Sequence, residues 1–223
     1  MLFFLRTISR AAAATLALGA LALSVARAES PTIVNPNFSA VPVQCSEGSA
    51  YQSDPGGTCE SVYPEQDFNT EAGIGWAFTP YQASGPGIGG PGITEPNSGF
   101  NPPPFTGLPF SQAAYLQNHS LIYQKITGFV LGQVYKLTLY LGSRYSSGGT
   151  NGNQIVVATL DGKPIGVWRL TSFTPFVLQT AFFKAPSGGS HILGFQGIVG
   201  GTTSTSSTGF FSGVSIEAVS DQP

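Results

Sequence analysis

The sequence predicts an all-β fold, either a sandwich or a barrel, formed by a single domain. Three observations support it. No part of residues 29–223 carries a sustained apolar stripe at helical spacing, short runs alternate apolar and polar residues instead, and clusters of Gly, Asn and Ser separate these runs. Several short strands joined by such turns are typical of sandwiches and barrels.

Eight alternating runs are predicted to be strands. In the third run, Tyr135, Leu137 and Leu139 point one way while Lys136 and Thr138 point the other, which gives one buried and one solvated face. The runs are Ala113–Leu116, Leu121–Ile126, Val134–Leu141, Gln154–Leu160, Pro164–Leu170, Phe176–Phe183, His191–Gly197 and Gly209–Val219.

Two short segments predict the turns that join these strands. Asp161-Gly162 predicts a tight hairpin, because glycine accepts the positive φ that the turn requires. Asn118-His119-Ser120 predicts a turn between the first two strands, so the polar stretch from Ala114 to Phe129 is interpreted as a hairpin with a wet face. By the same turn chemistry, His119 and His191 are expected to be solvated turn residues rather than catalytic bases.

The N-terminus resembles a secretory signal. Arg6 and Arg10 precede the apolar run Ala11–Val25, and Ala26-Arg27-Ala28 forms a small-x-small cleavage site. A retained membrane anchor is the alternative, but the apolar run is short for a spanning helix. We therefore expect a signal peptide over residues 1–28, one domain over residues 29–223, and a secreted or periplasmic protein.

The composition excludes two classes of partner. Without Arg6, Arg10 and Arg27, the nine basic residues fall to six against eleven acidic ones, a net charge of −5. Such an acidic chain attracts neither nucleic acid nor, after signal cleavage, an anionic membrane. Charged residues make up only 9% of the sequence, so uncharged polar side chains must solvate the surface and offer hydrogen bonds.

The two cysteines, Cys45 and Cys59, are predicted to form a disulfide, the default state in an exported chain. A metal pair is the alternative reading. A closed zinc site needs four ligands, however, and both histidines lie far along the chain, so we expect no metal centre there.

The segment from Pro80 to Pro109 holds 8 of the 17 prolines, and we expect a long loop over the surface rather than a central strand. Within it, Gly85–Gly90 formally matches G-x-G-x-x-G. A dinucleotide site needs a strand before and a helix after this pattern, and Pro91-Gly92 follows instead. We therefore expect no nucleotide cofactor.

Short motifs follow one another in a characteristic order along the chain: Asn35-Pro36-Asn37-Phe38, Gly75-Trp76-Ala77-Phe78, Gln112–Gln117, Ile122–Ile126 followed by Gly132–Leu137, Ile155–Val157 with Asp161-Gly162, and Gly209–Ile216. This series resembles the galactose-binding-like jelly-roll domains of carbohydrate-binding modules and of related exported bacterial proteins. The resemblance covers the whole chain after residue 28 and implies a jelly-roll sandwich that binds sugar. Ser39 and Gly213 replace acidic residues that help hold structural calcium in such relatives, which argues against a calcium site.

Sugar binding requires a flat aromatic ring beside groups that bond hydroxyls. Arg144 and Tyr145 open the polar loop 146–153 and have this composition, although a solvated strand end is the equally simple interpretation. Tyr81 is a second candidate platform. Trp168 could face either side of its strand. These four residues are the predicted ligand-binding residues.

Two functions follow as hypotheses. The first is an exported, non-catalytic module that recognises cell-surface or extracellular polysaccharide, and the alternative is a structural or adhesive matrix protein without a small-ligand site. No G-x-S-x-G motif or distinctive carboxylate pair occurs, so we expect no catalytic residue. A binding module should show aromatic residues around one concavity, and a matrix protein a flat apolar patch or an uncovered edge strand.

Overall fold

The fold is a sandwich of two antiparallel sheets, which confirms the predicted class. The computed structural model describes residues 30–40, 60–61, 75–79, 90–96, 102–144, 154–171, 174–199 and 207–220. Within these ranges the strands are β1 (Glu60–Ser61), β2 (Ala77–Thr79), β3 (Pro91–Thr94), β4 (Ala113–Gln117), β5 (Ser120–Phe129), β6 (Val134–Ser143), β7 (Gln154–Leu160), β8 (Lys163–Leu170), β9 (Val177–Lys184), β10 (Gly189–Val199) and β11 (Thr208–Ala218).

The strands divide into a six-stranded sheet, in the order β1-β3-β4-β11-β6-β9, and a five-stranded sheet, in the order β2-β5-β10-β7-β8. Every neighbouring pair is antiparallel. Across the part of the chain that the structure describes, no helix is long and apolar enough to cross a membrane.

The core lies between the two sheets, where alternate residues of each strand meet. Phe195 of β10 and Phe211 of β11 are fully buried, and their ring centroids lie 4.5 Å apart across the sandwich. Trp76 is 2% exposed, and its indole N–H donates to the Asn35 carbonyl at 3.0 Å, as its polar edge requires when buried. Each such side chain contributes about 1.5–3 kcal/mol of burial free energy.

All eight predicted strands are present, most of them longer by one to three residues at an end. The two predicted turns are confirmed as well, but the predicted hairpin from Ala114 to Phe129 is wrong. β4 and β5 lie in different sheets, so the chain crosses from one sheet to the other at this turn. Asp161 and Gly162 adopt φ values of 50° and 77° between β7 and β8, and Asn118 adopts φ 55° between β4 and β5. Only glycine and a few short polar residues adopt such positive angles readily.

The proline-rich segment departs from the prediction, since part of it lies inside the sheet. Pro91–Thr94 forms β3, fully buried, between β1 and β4. Proline is tolerated because it is the first residue of the strand, and β1 pairs only with Ile93 and Thr94, so Pro91 has no ladder partner to lose on that side. Burial of Ile93 in the core stabilises this strand, which the pattern of the sequence did not predict.

A second part of this segment covers the six-stranded sheet from outside. Phe105 and Phe110 are 8% and 7% exposed and pack against Tyr140 and Phe176 in a cluster separate from the main core. Their edge-to-face geometry, with Phe105 and Phe110 centroids 5.5 Å apart, is favourable for aromatic pairs. Residues 102–110 therefore form a packed cover over the sheet rather than a loop that extends into solvent.

Gln124 of β5 binds the N-terminal segment 30–40 at Val34, and its side chain is buried rather than on the predicted solvated face. The Gln124 side chain is 2% exposed. Its Oε1 accepts from the Val34 N–H at 2.8 Å, and its Nε2 donates to the Val34 carbonyl at 2.9 Å. The side-chain amide of Gln124 therefore makes the two hydrogen bonds that a neighbouring strand would otherwise make with Val34. The alternation of apolar and polar residues did not predict this contact.

Three predictions fall outside the described residues. They are the signal peptide over residues 1–28, the disulfide between Cys45 and Cys59, and most of the glycine pattern starting at Gly85. Each stays a prediction.

Candidate functional site

A groove of about 310 Å³ runs across the outer face of the five-stranded sheet. On this face the side chains of Leu121, Tyr123 and Gln196 are partly or fully exposed, whereas their neighbours Ile122 and Phe195 are buried in the core. The lining residues come from β5, β7, β10 and the β7–β8 turn: Leu121, Tyr123, Thr159, Gly162, Ile192, Gly194 and Gln196.

The strand register places these residues in rows across the sheet. Gly194 of β10 lies between Tyr123 of β5 and Thr159 of β7, and Gln196 lies opposite Leu121. A Cβ atom at Gly194 would come within 2.7 Å of the Thr159 Oγ1 and 3.4 Å of the Leu121 Cδ1. Glycine therefore forms the floor, and a larger residue would fill the groove from below.

The lining combines one aromatic ring, two aliphatic side chains and a few polar groups. Tyr123 supplies the ring, Gln196 an exposed amide, and Thr159 a hydroxyl whose Oγ1 lies 3.4 Å from the Gly194 carbonyl. Among the described residues that line the groove, none carries a charged side chain. A mostly apolar concavity with a few placed hydrogen-bonding groups is typical of sites for neutral small ligands.

Asp161 fixes one end of the groove by linking the β7–β8 turn to β10. Its Oδ1 accepts from the Ile192 N–H at 2.8 Å, and its Oδ2 lies 2.5 Å from the His191 Nδ1. The neighbouring residues Gly162 and Ile192 both line the groove. This pair therefore orders the wall that a ligand would touch.

His191 is buried, which corrects the expectation of a solvated turn residue. Its exposure is 4%, and its Nε2 lies 3.1 Å from the Ser187 carbonyl and 3.3 Å from the Ser187 Oγ. Because the nearer carbonyl can only accept, Nε2 carries a proton and cannot serve as a base toward the serine hydroxyl. The contacts that join Ser187, His191 and Asp161 therefore form a structural clamp, which holds the β7–β8 turn against β10.

The two pKa values shift in the directions that an ion pair requires. Burial alone would lower the pKa of His191, but the hydrogen bond to Asp161, the bond to the Ser187 backbone and the Asp161 charge raise it above its ordinary value. Burial likewise opposes ionisation of Asp161. Hydrogen bonds from Ile192 and His191 and the charges of His191 and Lys163 nevertheless leave the pKa of this carboxyl below its ordinary value.

Arg144 and Trp168, the two predicted ligand-binding residues that the structure describes, do not line this groove. Arg144 is half-buried directly after β6, in the other sheet, where its backbone N–H donates to the Thr208 carbonyl at 3.2 Å. Trp168 is half-buried on β8 and packs against the main core. Tyr81 and Tyr145 lie outside the described residues. The ligand-binding role of these four residues stays a prediction.

Sequence reasoning missed Tyr123, Thr159 and Gln196 because each reads as an ordinary outward position of a strand. The one available signal was Gly194, since a glycine inside a strand often marks a place where another molecule approaches the backbone.

No protein-family model and no curated protein matches the sequence. Among solved structures, the Stig cyclase Fisc from Fischerella sp. TAU, in complex with (3Z)-3-(1-methyl-2-pyrrolidinylidene)-3H-indole, is 17% identical with a TM-score of 0.51, over 86% of this chain and 98% of that one. The sugar-binding C-terminal domain of EclA is 21% identical with a TM-score of 0.35, over 43% of this chain and 64% of that domain.

A third similar structure is the CBM22-1–GH10 pair of xylanase Xyn10B from Clostridium thermocellum, complexed with xylohexaose. It is 13% identical with a TM-score of 0.42, over 67% of this chain and 27% of that one. This chain thus spans less than two thirds of the EclA domain and about a quarter of the xylanase modules. At these identities the chain is similar to the cyclase in its β-sandwich fold, and the similarity concerns the fold alone.

Proposed function

We propose that this protein is a non-catalytic carbohydrate-binding module that recognises extracellular or cell-surface polysaccharide through the groove of the five-stranded sheet. The observation that carries the proposal is the row formed by Tyr123, Gly194 and Thr159, with Gln196 beside it.

The chemistry of this row suits a sugar. A sugar ring presents C–H groups that stack on an aromatic face, and hydroxyls that bond amides and other hydroxyls. Tyr123 supplies the first contact, and Gln196 and Thr159 supply the second. None of the lining residues in the described part of the chain is charged, which favours a neutral ligand. The volume of the groove, about 310 Å³, lies within the range of small-molecule sites.

The test is a polysaccharide pull-down with the purified chain, followed by calorimetry on the glycan that binds. We expect Tyr123→Ala and Gln196→Ala each to weaken binding by about tenfold or more, which corresponds to roughly 1.4 kcal/mol. Lys125→Ala is the matched control, because Lys125 is exposed on β5 but does not line the groove. It should leave the affinity unchanged.

Arg144→Ala separates the groove from the site expected at the end of β6. Loss of binding in this variant, with Tyr123→Ala unaffected, would move the site to the strand end. Failure of the unmodified chain to bind any glycan would overturn the proposal.

One observation favours the adhesive alternative. β9 ends the six-stranded sheet and exposes Val177, Leu178 and Phe182 by 44%, 53% and 62%. An uncovered edge with apolar side chains is the feature expected of a chain that engages other protein strands.

A further inference from the structure

The sandwich has four edge strands, and they differ in how well they resist pairing with another chain. In the described residues these are β1 and β9 in one sheet and β2 and β8 in the other. β1 and β2 have two and three residues, too few for a stable new ladder. β8 and β9 have eight residues each, so these two edges are long enough to pair with an additional strand.

β8 carries three features that oppose edge-to-edge pairing. Lys163 and Arg169 place charges on it, Pro164 removes a backbone donor, and its register against β7 shifts between Ala158 and Thr159. Charges, proline and irregular register are the usual means by which natural sheets protect their edges.

β9 has no proline and no register shift within its length. All eight of its residues pair with β6 in unbroken register, from Val134 opposite Lys184 to Leu141 opposite Val177. Its one charged residue, Lys184, is the last of the strand. Leu178 and Phe182 are more than half exposed, although they are large apolar side chains. Such an edge is a template for an additional strand.

The order of side chains along β9 identifies the strand that fits. Leu178 and Phe182 lie two residues to either side of Thr180. When two copies of β9 pair antiparallel about a two-fold axis at Thr180, Leu178 of one copy faces Phe182 of the other, and the reverse pair forms as well. Both apolar residues are then covered by the same contact.

The charges permit this arrangement. In that register the two copies of Lys184 lie at opposite ends of the strand pair, about 26 Å apart at ~3.3 Å per residue. This distance exceeds the Debye length of about 8 Å at physiological ionic strength, so the repulsion is screened. We propose that a second copy of this chain docks on β9, forming a homodimer with one continuous antiparallel sheet.

The proposal is tested by light scattering and sedimentation of the purified full chain over a range of concentrations. The unmodified chain should form a dimer. Thr180→Lys and Thr180→Glu should each be monomeric at concentrations where the unmodified chain is dimeric, because like charges then face each other at the axis. An equimolar mixture of the two variants should form the dimer again, since the opposed charges now attract.

Thr127→Lys is the matched control, because Thr127 is an exposed threonine on β5, which neighbours β2 and β10 and not β8 or β9. It should remain dimeric, and thermal unfolding should verify that every variant folds. A monomeric unmodified chain would overturn the proposal, as would a dimer that persists in Thr180→Lys. A mixture of the Lys and Glu variants that stays monomeric would exclude the two-fold register.

Discussion

Asp161 shows how one residue serves both a turn and a neighbouring strand. The backbone of Asp161 adopts the positive φ that the turn requires, and its carboxylate accepts hydrogen bonds from Ile192 and His191. The ionised pair is formed in the folded state only, because its partners are separated in the unfolded chain. Its contribution to stability must therefore depend on pH.

The direction in which stability changes with pH follows from the shifted pKa values of His191 and Asp161. The raised pKa of His191 gives a contribution that is complete below its ordinary pKa of 6.5 and is lost as the pH rises through the folded value. The lowered pKa of Asp161 gives a contribution that is complete above 3.8 and is lost as the pH falls through the folded value. We expect the free energy of unfolding to be largest between these two limits.

Urea unfolding at pH 5.5 and at pH 9 measures the stability that is lost as the pH rises through the folded pKa of His191. The unmodified chain should be less stable at pH 9, whereas His191→Gln, which lacks the titrating group, should lose much less stability between the two values. Equal pH dependence in both proteins would contradict the assignment of the clamp.

Gly194 provides a second test at the level of a single residue. Gly194→Ala places a methyl group on the floor of the groove, 2.7 Å from the Thr159 Oγ1, so the hydroxyl must move and the groove becomes shallower. We expect a loss of stability of about 1–3 kcal/mol, as for other overpacked sites. We also expect at least tenfold weaker glycan binding in calorimetry. Unchanged affinity would exclude the floor of the groove as the binding surface.

At the scale of elements, the sequence predicted what is decided locally. The eight long strands and the Asp161-Gly162 turn follow from alternation and turn chemistry within a few residues. β3 could not be predicted, because Pro91–Thr94 is a strand only through its neighbours β1 and β4. The groove was missed for the same reason, since cross-strand register alone brings Tyr123, Gly194 and Thr159 together.

The N-terminal segment 30–40 depends on one amide at its contact with β5. Gln124→Ala removes both hydrogen bonds to Val34, each about 1 kcal/mol in net value, and leaves a void beneath a buried position. We expect a loss of about 1–3 kcal/mol. Amide hydrogen exchange should accelerate in residues 30–40 more than in β6, and uniform acceleration would contradict a local role.

The cover formed by residues 102–110 stabilises the outer face of the six-stranded sheet through its aromatic cluster. Phe110→Ala removes ring contacts to Phe105, Phe176 and Tyr140 and should cost about 3–5 kcal/mol. Thr106→Ala is the control within the same segment, because Thr106 is exposed and should change stability by less than about 0.5 kcal/mol. Urea unfolding distinguishes the two, and similar values would contradict the packing role.

For the molecule as a whole, the groove and the β9 edge belong to different sheets. A ligand in the groove therefore does not obstruct a second copy on β9. The two-fold axis of an antiparallel strand pair runs perpendicular to the sheet. Each copy then keeps its five-stranded sheet on the same side of the shared sheet, and the two grooves open in the same direction.

Such a dimer would bind a polysaccharide surface through two grooves at once. The second contact is intramolecular, so the dimer gains avidity of about 10²–10⁴ over one groove without any new contact. We therefore expect Thr180→Lys to bind a soluble oligosaccharide with unchanged affinity. The same variant should be retained on a polysaccharide-coated sensor at least tenfold more weakly than the unmodified chain.

The two measurements separate the two proposals. Loss of soluble-ligand binding in Tyr123→Ala tests the groove alone, because a soluble oligosaccharide occupies one groove and gains no avidity from pairing. Loss of surface retention in Thr180→Lys, with soluble binding intact, tests the orientation of the grooves in the dimer. Equal surface retention by monomer and dimer would mean that the grooves do not face one surface, even if both proposals about binding and pairing hold separately.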